Sequence, residues 1–214
     1  MKQFRFGILG AGGIAHKFCN AVGKVDDACV AAVASKDQKR AWRFAKRHGI
    51  EDFYSDYEHL LAREDIDAIY IATTHNFHYE NIIACLKHNK PVLCEKSMVP
   101  TAAQAQEIFS LAKEKKLFVM EAMWSRFLPH INQARQWIKE GRIGNLEAAT
   151  CAIGFSASRD PAHRINNPEL GGGAAYDIGV YAIELTTYLI DEPVIDVQSM
   201  LTRSETGVDK TDSI

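Results

Sequence analysis

In the first half of the chain, short apolar runs alternate with stretches in which apolar positions recur at helical spacing. Phe4 to Leu9 reads as a strand, and Gly10 to Ala15 turns into a helix reaching about Val22. Cys29 to Ser35 is a second apolar strand. Asp37 then stands where a helix cap belongs, ahead of a helix to about Arg47 that is rich in Lys and Arg near its end, as the helix dipole favours. Gly49 stops it. A short strand near Phe53, a brief helix from Tyr57, a strand over Ala68 to Ala72 and a helix over Asn76 to His88 follow. Val92 to Cys94 is an apolar strand ending abruptly in Glu95 and Lys96. Thr101 to Lys115 is amphipathic, with Ala105, Ile108 and Ala112 on one face, and Leu117 to Met120 is the last strand of the alternation. Strands this short and this apolar are buried on both faces, which predicts a parallel sheet with right-handed helical crossovers.

The pattern then changes. Pro129 to Glu140 predicts a helix stopped by Gly141 and Gly144, and Leu146 to Phe155 predicts a long strand. Ser156 to Gly173 is irregular, carrying Pro161, Pro168 and three consecutive glycines; loops of this length tend to be functional covers or disordered. Ala174 to Leu189 predicts a helix, Val194 to Thr202 alternates as a strand, and Thr211 to Ile214 looks like the start of another. The fold class is therefore α/β. A Rossmann-type doubly wound parallel sheet is expected over residues 1–121, followed over 122–214 by an α+β domain with a mostly antiparallel open sheet. Two strands and two helices make a poor sheet with an unpaired edge, so this second sheet is expected to be incomplete or finished from elsewhere.

Composition narrows the function classes. With 47% hydrophobic residues, 24% charged and a formal net charge of -2, the chain has ordinary globular composition and no electrostatic reason to bind nucleic acid or an anionic membrane. Five scattered cysteines without a C-x-x-C pair suggest neither a disulfide framework nor a zinc ribbon, and a reducing cytoplasm is the expected compartment. Lys2 and Arg5 before the apolar run Phe6 to Ala15 loosely resemble a signal peptide. Four glycines in that run argue instead for a strand and turn.

The chemistry concentrates at predicted strand ends, where ligands bind in open α/β sheets. Gly10-Ala11-Gly12-Gly13-Ile14-Ala15 fits G-x-G-x-x-A directly after a strand and opening a helix. In that context the first glycine allows the tight turn, the second, Gly12, lets a pyrophosphate approach the backbone, Ala15 permits close helix packing, and the anion meets the positive helix end; Gly13 and Ile14 complete the candidate cofactor contacts. After the second strand, an acid would hold the ribose hydroxyls of NAD, whereas a base accommodates the 2'-phosphate of NADP. Ser35 and Lys36 stand there, with Lys39 and Arg40 nearby and Asp37 explained as the cap, so NADP is favoured and NAD stays possible. Thr73, Thr74, His75, Asn76 and His78 follow the fourth strand as candidate contacts to the nicotinamide end, with helix capping the competing explanation. His75 and His78 lack a third ligand at compatible spacing, so no metal is assigned. Asp177 and Tyr181, four apart, share one face of the late helix. A core tyrosine and a dipole partner would produce the same spacing.

Taken together, Gly10 to Ala15, Thr73 to His78, Glu95-Lys96, Glu121 to Phe127 and Gly171 to Tyr181 resemble the glucose-fructose oxidoreductase/inositol dehydrogenase/rhizopine catabolism superfamily. Within it, the likeness is to the branch of dimeric dihydrodiol dehydrogenases and NADP-dependent D-xylose dehydrogenases. The resemblance implies an NAD(P)-dependent dehydrogenase acting on a sugar or cyclic diol, with Lys96, Asp177 and Tyr181 catalytic and Glu95 and Lys96 also at the cofactor. It implies Trp124, Phe127 and Phe155 as substrate-pocket walls and a homodimer formed through the second sheet. Either Tyr181 or Lys96 would accept the substrate proton. A dinucleotide-binding sensor without net turnover is the alternative for the same architecture. One departure stands out: the family's usual Glu-Lys-Pro reads Glu95-Lys96-Ser97 here, so no proline ring fixes the turn after the lysine.

Overall fold

A computed structural model describes residues 3–214, so Lys2 of the leader-like pattern lies outside the described residues. The chain divides into two compact units, Met1–Ala122 and Met123–Ile214.

In the first unit the elements alternate as β1 (Phe4–Leu9), α1 (Gly13–Val22), β2 (Ala28–Ala34), α2 (Gln38–His48), β3 (Asp52–Tyr54), α3 (Tyr57–Leu61) and β4 (Ala68–Ile71). They continue through a 3-10 turn (His75–Phe77), α4 (His78–Lys87), β5 (Val92–Cys94), α5 (Ala102–Lys115) and β6 (Val119–Glu121). Local chemistry sets these limits. The Asp37 carboxylate accepts the Arg40 N–H and Gly49 closes α2 in the left-handed region at φ 67°, while the Thr101 hydroxyl caps α5 through Gln104 N–H. All six strands run parallel in the order β3-β2-β1-β4-β5-β6, which is a doubly wound sheet whose order reverses between β1 and β4.

Two cores form because successive strand residues face opposite sides. Ile8, Val33 and Tyr70 pack with Ala15, Cys19, Phe44 and Ala45 of α1 and α2. Their neighbours Leu9, Ala34 and Ile71 pack instead with Leu60, Ile82, Cys85 and Ile108 of α3, α4 and α5. Each such fully buried Leu or Ile contributes about 1.5–3 kcal/mol of transfer free energy.

The second unit holds a 3-10 turn (Trp124–Phe127), α6 (Pro129–Lys139), a 3-10 turn (Pro168–Leu170), a π-helical turn (Ala175–Gly179), α7 (Val180–Ile190) and an antiparallel hairpin of β7 (Met200–Arg203) and β8 (Asp209–Ser213). Two strand expectations fail here. Leu146 to Phe155 is irregular, and of Val194 to Thr202 only the end from Met200 enters a strand. Alternating apolar residues make a strand only where a neighbour completes the hydrogen-bond ladder and covers one face. Ile195 is 98% exposed and Met200 78%, so among the described residues nothing covers this alternation. Among the described residues, no helix is long and apolar enough to cross a membrane.

Candidate active site

The register of the first sheet lines up its strand ends. Leu9 pairs with Ala34 and Ile71, Ile71 with Cys94, and Cys94 with Glu121, so Gly10, Ser35, Ala72 and Glu95 leave the sheet along one edge. Gly10 has φ 97°, a region that excludes most side chains, and donates its N–H to Ala34 O at 2.8 Å. A Cβ on Gly10 would stand 2.8 Å from the Ala72 carbonyl carbon, so a side chain is excluded by space as well. Gly12 is the N-cap of α1 and supplies no side-chain cap, and the first turn carries no acid. A Cβ on Gly13 would meet nothing within 4 Å. The start of α1 thus presents backbone N–H groups without a side-chain acceptor and with open approach, the donor set that a dinucleotide pyrophosphate requires. These residues fit the cofactor. Ile14 is exposed on the first turn of the same helix.

At the end of β2, Ser35 is buried and its hydroxyl accepts the Asp37 N–H at 3.4 Å. Asp37 is occupied by α2: one carboxylate oxygen takes the Arg40 N–H at 3.1 Å and the other lies 4.0 Å from the Arg40 guanidinium. Lys36 places its ammonium 4.8 Å from the centre of the Phe77 ring. The edge residue is therefore basic, and the neighbouring acid is held by its own helix.

After β4 and β5 the two loops are tied together. Thr74 Oγ1 donates to Asn76 Oδ1 at 2.7 Å, His75 Nε2 lies 3.1 Å from Lys96 O, and the two ring nitrogens of His78 lie 3.0 Å from Thr73 O and 2.9 Å from Ser97 O. His78 is fully buried, so it shapes the loop from beneath, whereas Thr73, Thr74 and His75 are half-buried. Glu95 is buried and accepts the Tyr70 hydroxyl at 2.5 Å and the Lys96 N–H at 3.3 Å. Burial raises the Glu95 pKa, with the Tyr70 hydrogen bond opposing it, and burial beside Glu95 raises that of the Tyr70 phenol. The Lys96–Ser97 peptide is cis. Ser97 lacks the proline ring, but the turn is held by His75 on Lys96 O, by His78 on Ser97 O, and by Met98 N–H donating to Glu121 Oε1 at 2.7 Å.

In the second unit, Asp177 lies in the π-helical turn that opens α7, is buried, and pairs with Arg164 at 2.9 Å. Tyr181, one turn on, accepts the Trp124 indole N–H at 2.6 Å, the rings meeting edge-on at 74°. The same fold thus joins one expected pocket wall to the expected catalytic phenol. Phe127 and Phe155 are exposed at 67% and 54%, Phe155 from an irregular segment rather than a strand.

Against known proteins, residues 4–123 match the pattern described as an oxidoreductase family with an NAD-binding Rossmann fold, and residues 131–214 match the GFO/IDH/MocA C-terminal domain. The chain belongs to the Gfo/Idh/MocA oxidoreductase family. It is 35% identical over 213 residues to trans-1,2-dihydrobenzene-1,2-diol dehydrogenase of Xenopus tropicalis, covering 98% of this chain and 64% of that protein. To the D-xylose 1-dehydrogenase (NADP(+)) of Hypocrea jecorina it is 37% identical over 199 residues, 84% of this chain and 51% of the other. The crystal structure of KijD10, a 3-ketoreductase from Actinomadura kijaniata in complex with NADP and TDP-benzene, superposes with a TM-score of 0.85 at 29% identity, covering 99% of this chain and 65% of that one. This chain therefore spans less than two thirds of the length of each of these relatives.

In this Gfo/Idh/MocA chain, several structural contributors carry no local motif. Tyr70 reads only as an apolar strand residue, yet its hydroxyl holds Glu95. Arg164 and Asp209 come from a loop and a distant strand: Arg164 pairs with Asp177, and Asp209 Oδ2 accepts the Ala175 N–H at 2.6 Å. Glu184 and Tyr188, which continue the Asp177–Tyr181 face, serve as staples. Glu184 accepts Ser125 Oγ–H at 2.8 Å and Arg126 Nε–H at 2.6 Å, and the Arg126 and Arg135 guanidiniums lie 4.9 and 4.3 Å from the centre of the Tyr188 ring.

Proposed function

We propose that this protein is an NADP-linked oxidoreductase that oxidises a CH–OH carbon of a sugar or cyclic diol to the carbonyl. The observation that carries the cofactor is the start of α1, where Gly10 packs against Ala72 and uncapped N–H groups face open space. The choice of NADP is supported by Lys36 at the end of β2, by the engagement of Asp37 with Arg40, and by the NADP in the names of two relatives. The names of the dehydrogenase relatives support a diol or a pentose as substrate.

When bound, NADP supplies the two-electron acceptor for the hydride. Lys96 takes the hydroxyl proton on its Nζ, so that the C–H and O–H bonds are both lost and a C=O bond forms. Tyr181 and Asp177 are assigned to binding and orienting the substrate oxygen, with Trp124, Phe127 and Phe155 offering aromatic faces to the ring. Cytoplasmic residence is part of the same reading and is supported by the free cysteines. So is a homodimer through the second unit's sheet, supported by the exposed apolar side chains of β7.

The test is absorbance of NADPH formed from NADP with a panel of pentoses, hexoses and cyclic diols, run beside NAD. Reduction of NADP with at least one substrate, lost by at least about 100-fold in Lys96→Met, is expected. Tight NADPH binding without turnover of any substrate would instead make the chain a dinucleotide sensor.

A further inference from the structure

Tyr70 is 2% exposed and brings a hydroxyl into β4, a strand otherwise made of Ala and Ile. At that depth a phenol needs a partner. The register supplies one: Tyr70 pairs with Leu93 of β5, and Glu95, two residues further on, keeps to the same side of the sheet. Tyr70 O–H donates to Glu95 Oε1 at 2.5 Å, and Glu95 Oε2 accepts the backbone N–H of Lys96 at 3.3 Å. Both ends of this chain are fixed. Glu95 is buried and its own N–H is bonded to Ile71 O at 2.9 Å, while Phe18 of α1 stacks on the Tyr70 ring with centroids 3.8 Å apart and planes 12° from parallel.

The protons balance in this arrangement. The phenol gives one, the Lys96 amide gives one, and an ionised carboxylate accepts both. Burial raises the Glu95 pKa and Glu121, at the end of β6, adds to it; the Tyr70 bond, the Lys96 N–H and the Lys96 charge oppose it. Burial and then Glu95, with Cys94 and Cys19 contributing less, raise the Tyr70 phenol, which therefore stays protonated and remains a donor.

We propose that Tyr70 is a positioning residue for Lys96: its O–H keeps the Glu95 carboxylate a charged acceptor, and that carboxylate holds the Lys96 N–H. This rests on the reading of Lys96 as proton acceptor. A tyrosine that only filled the core could lose its hydroxyl without consequence for turnover. Here the loss leaves a buried carboxylate short of a donor, so it takes up a proton and releases the Lys96 amide. Displacing a reacting group by about 1 Å lowers turnover by about 100-fold, so even a partial release acts on kcat.

Tyr70→Phe keeps the ring and removes the hydroxyl. With carbon-13 at the glutamate carboxyls and Glu95→Gln to assign the signal, the Glu95 titration midpoint is expected to rise by about 1 pH unit or more in Tyr70→Phe. Steady-state kinetics are expected to show kcat lowered by about 10-fold, with NADPH affinity by fluorescence titration within about 3-fold of wild type. In the Glu95→Gln background the same change is expected to alter kcat by less than about 2-fold, because the acceptor it serves is gone. An unmoved midpoint, wild-type kcat in Tyr70→Phe, losses that simply multiply, or unfolding of Tyr70→Phe would each overturn the proposal and leave Tyr70 a core residue. Wild-type kcat in Glu95→Gln would overturn it independently of how Tyr70→Phe folds. Lys96→Met distinguishes the layers. If Lys96→Met turns over normally, the proton-acceptor reading fails. If it is inactive while Tyr70→Phe keeps wild-type kcat, the Tyr70 assignment alone fails.

Discussion

Gly10 shows how much a single position decides. Its φ is 97°, and a Cβ there would stand 2.8 Å from the Ala72 carbonyl, which leaves no room for a side chain. Gly10→Ala is expected to cost about 1–3 kcal/mol of stability from backbone strain, with a further penalty from the contact, and to weaken NADPH binding by at least about 10-fold. Urea unfolding and fluorescence titration read the two effects, and a variant with unchanged midpoint and affinity would refute the argument. This position was legible as a motif because a tight turn needs a residue type that the sequence states outright. Tyr70 was not legible: its hydroxyl meets Glu95 across neighbouring strands, a contact set by register rather than by sequence distance.

At the scale of elements, the first unit's helices and strands lay within about two residues of where periodicity and caps put them, because each carries its own local signal. The helix bearing Asp177 and Tyr181 differs. It begins as a π-helical turn, and the Ala175 N–H at its start is met by Asp209 of β8, whose carboxylate takes it at 2.6 Å. Gly173, at φ 127°, faces the same carboxylate and has no space for a Cβ. Asp209→Ala is therefore expected to cost about 0.5–2 kcal/mol, the range for loss of a helix cap, and to lower kcat while leaving NADPH affinity within about 2-fold. Unfolding midpoints with steady-state kinetics check this; a purely thermodynamic loss with unchanged kcat would show that Asp209 supports the fold alone.

For the molecule as a whole, acid sensitivity follows from histidines held neutral. Burial lowers the pKa of His16, His48 and His78 from the ordinary value of 6.5, and Arg47 adds to this at His16 and, with His16 itself, at His48. His16 Nδ1 and His48 Nε2 lie 2.6 Å apart, between α1 and α2, so the pair holds one N–H between two nitrogens. A group whose pKa is depressed on folding contributes stability that is fully present above its unfolded value and is lost as pH falls towards its folded one. Melting temperature is expected to fall less steeply as pH drops below 6.5 in the double variant His16→Gln, His48→Gln than in wild type. Equal slopes would remove the pair from the account.

The residue pattern alone settled the alternation of strands and helices, the glycine turn after β1, the basic end of β2 and the Asp37 cap, since each depends on neighbours only a few positions away. The family resemblance added Lys96, Asp177 and Tyr181 as the expected catalytic residues. Folding decided what those side chains touch: His78 reaching Ser97, Glu95 meeting Tyr70, Arg164 pairing with Asp177, and the indole of Trp124 donating to Tyr181. It also decided that Leu146 to Phe155 forms no strand, because a ladder needs a partner that periodicity in one segment cannot supply. Contacts between residues far apart along the chain are fixed by sheet register and by the packing of helices over it, and neither is written in any local stretch of sequence.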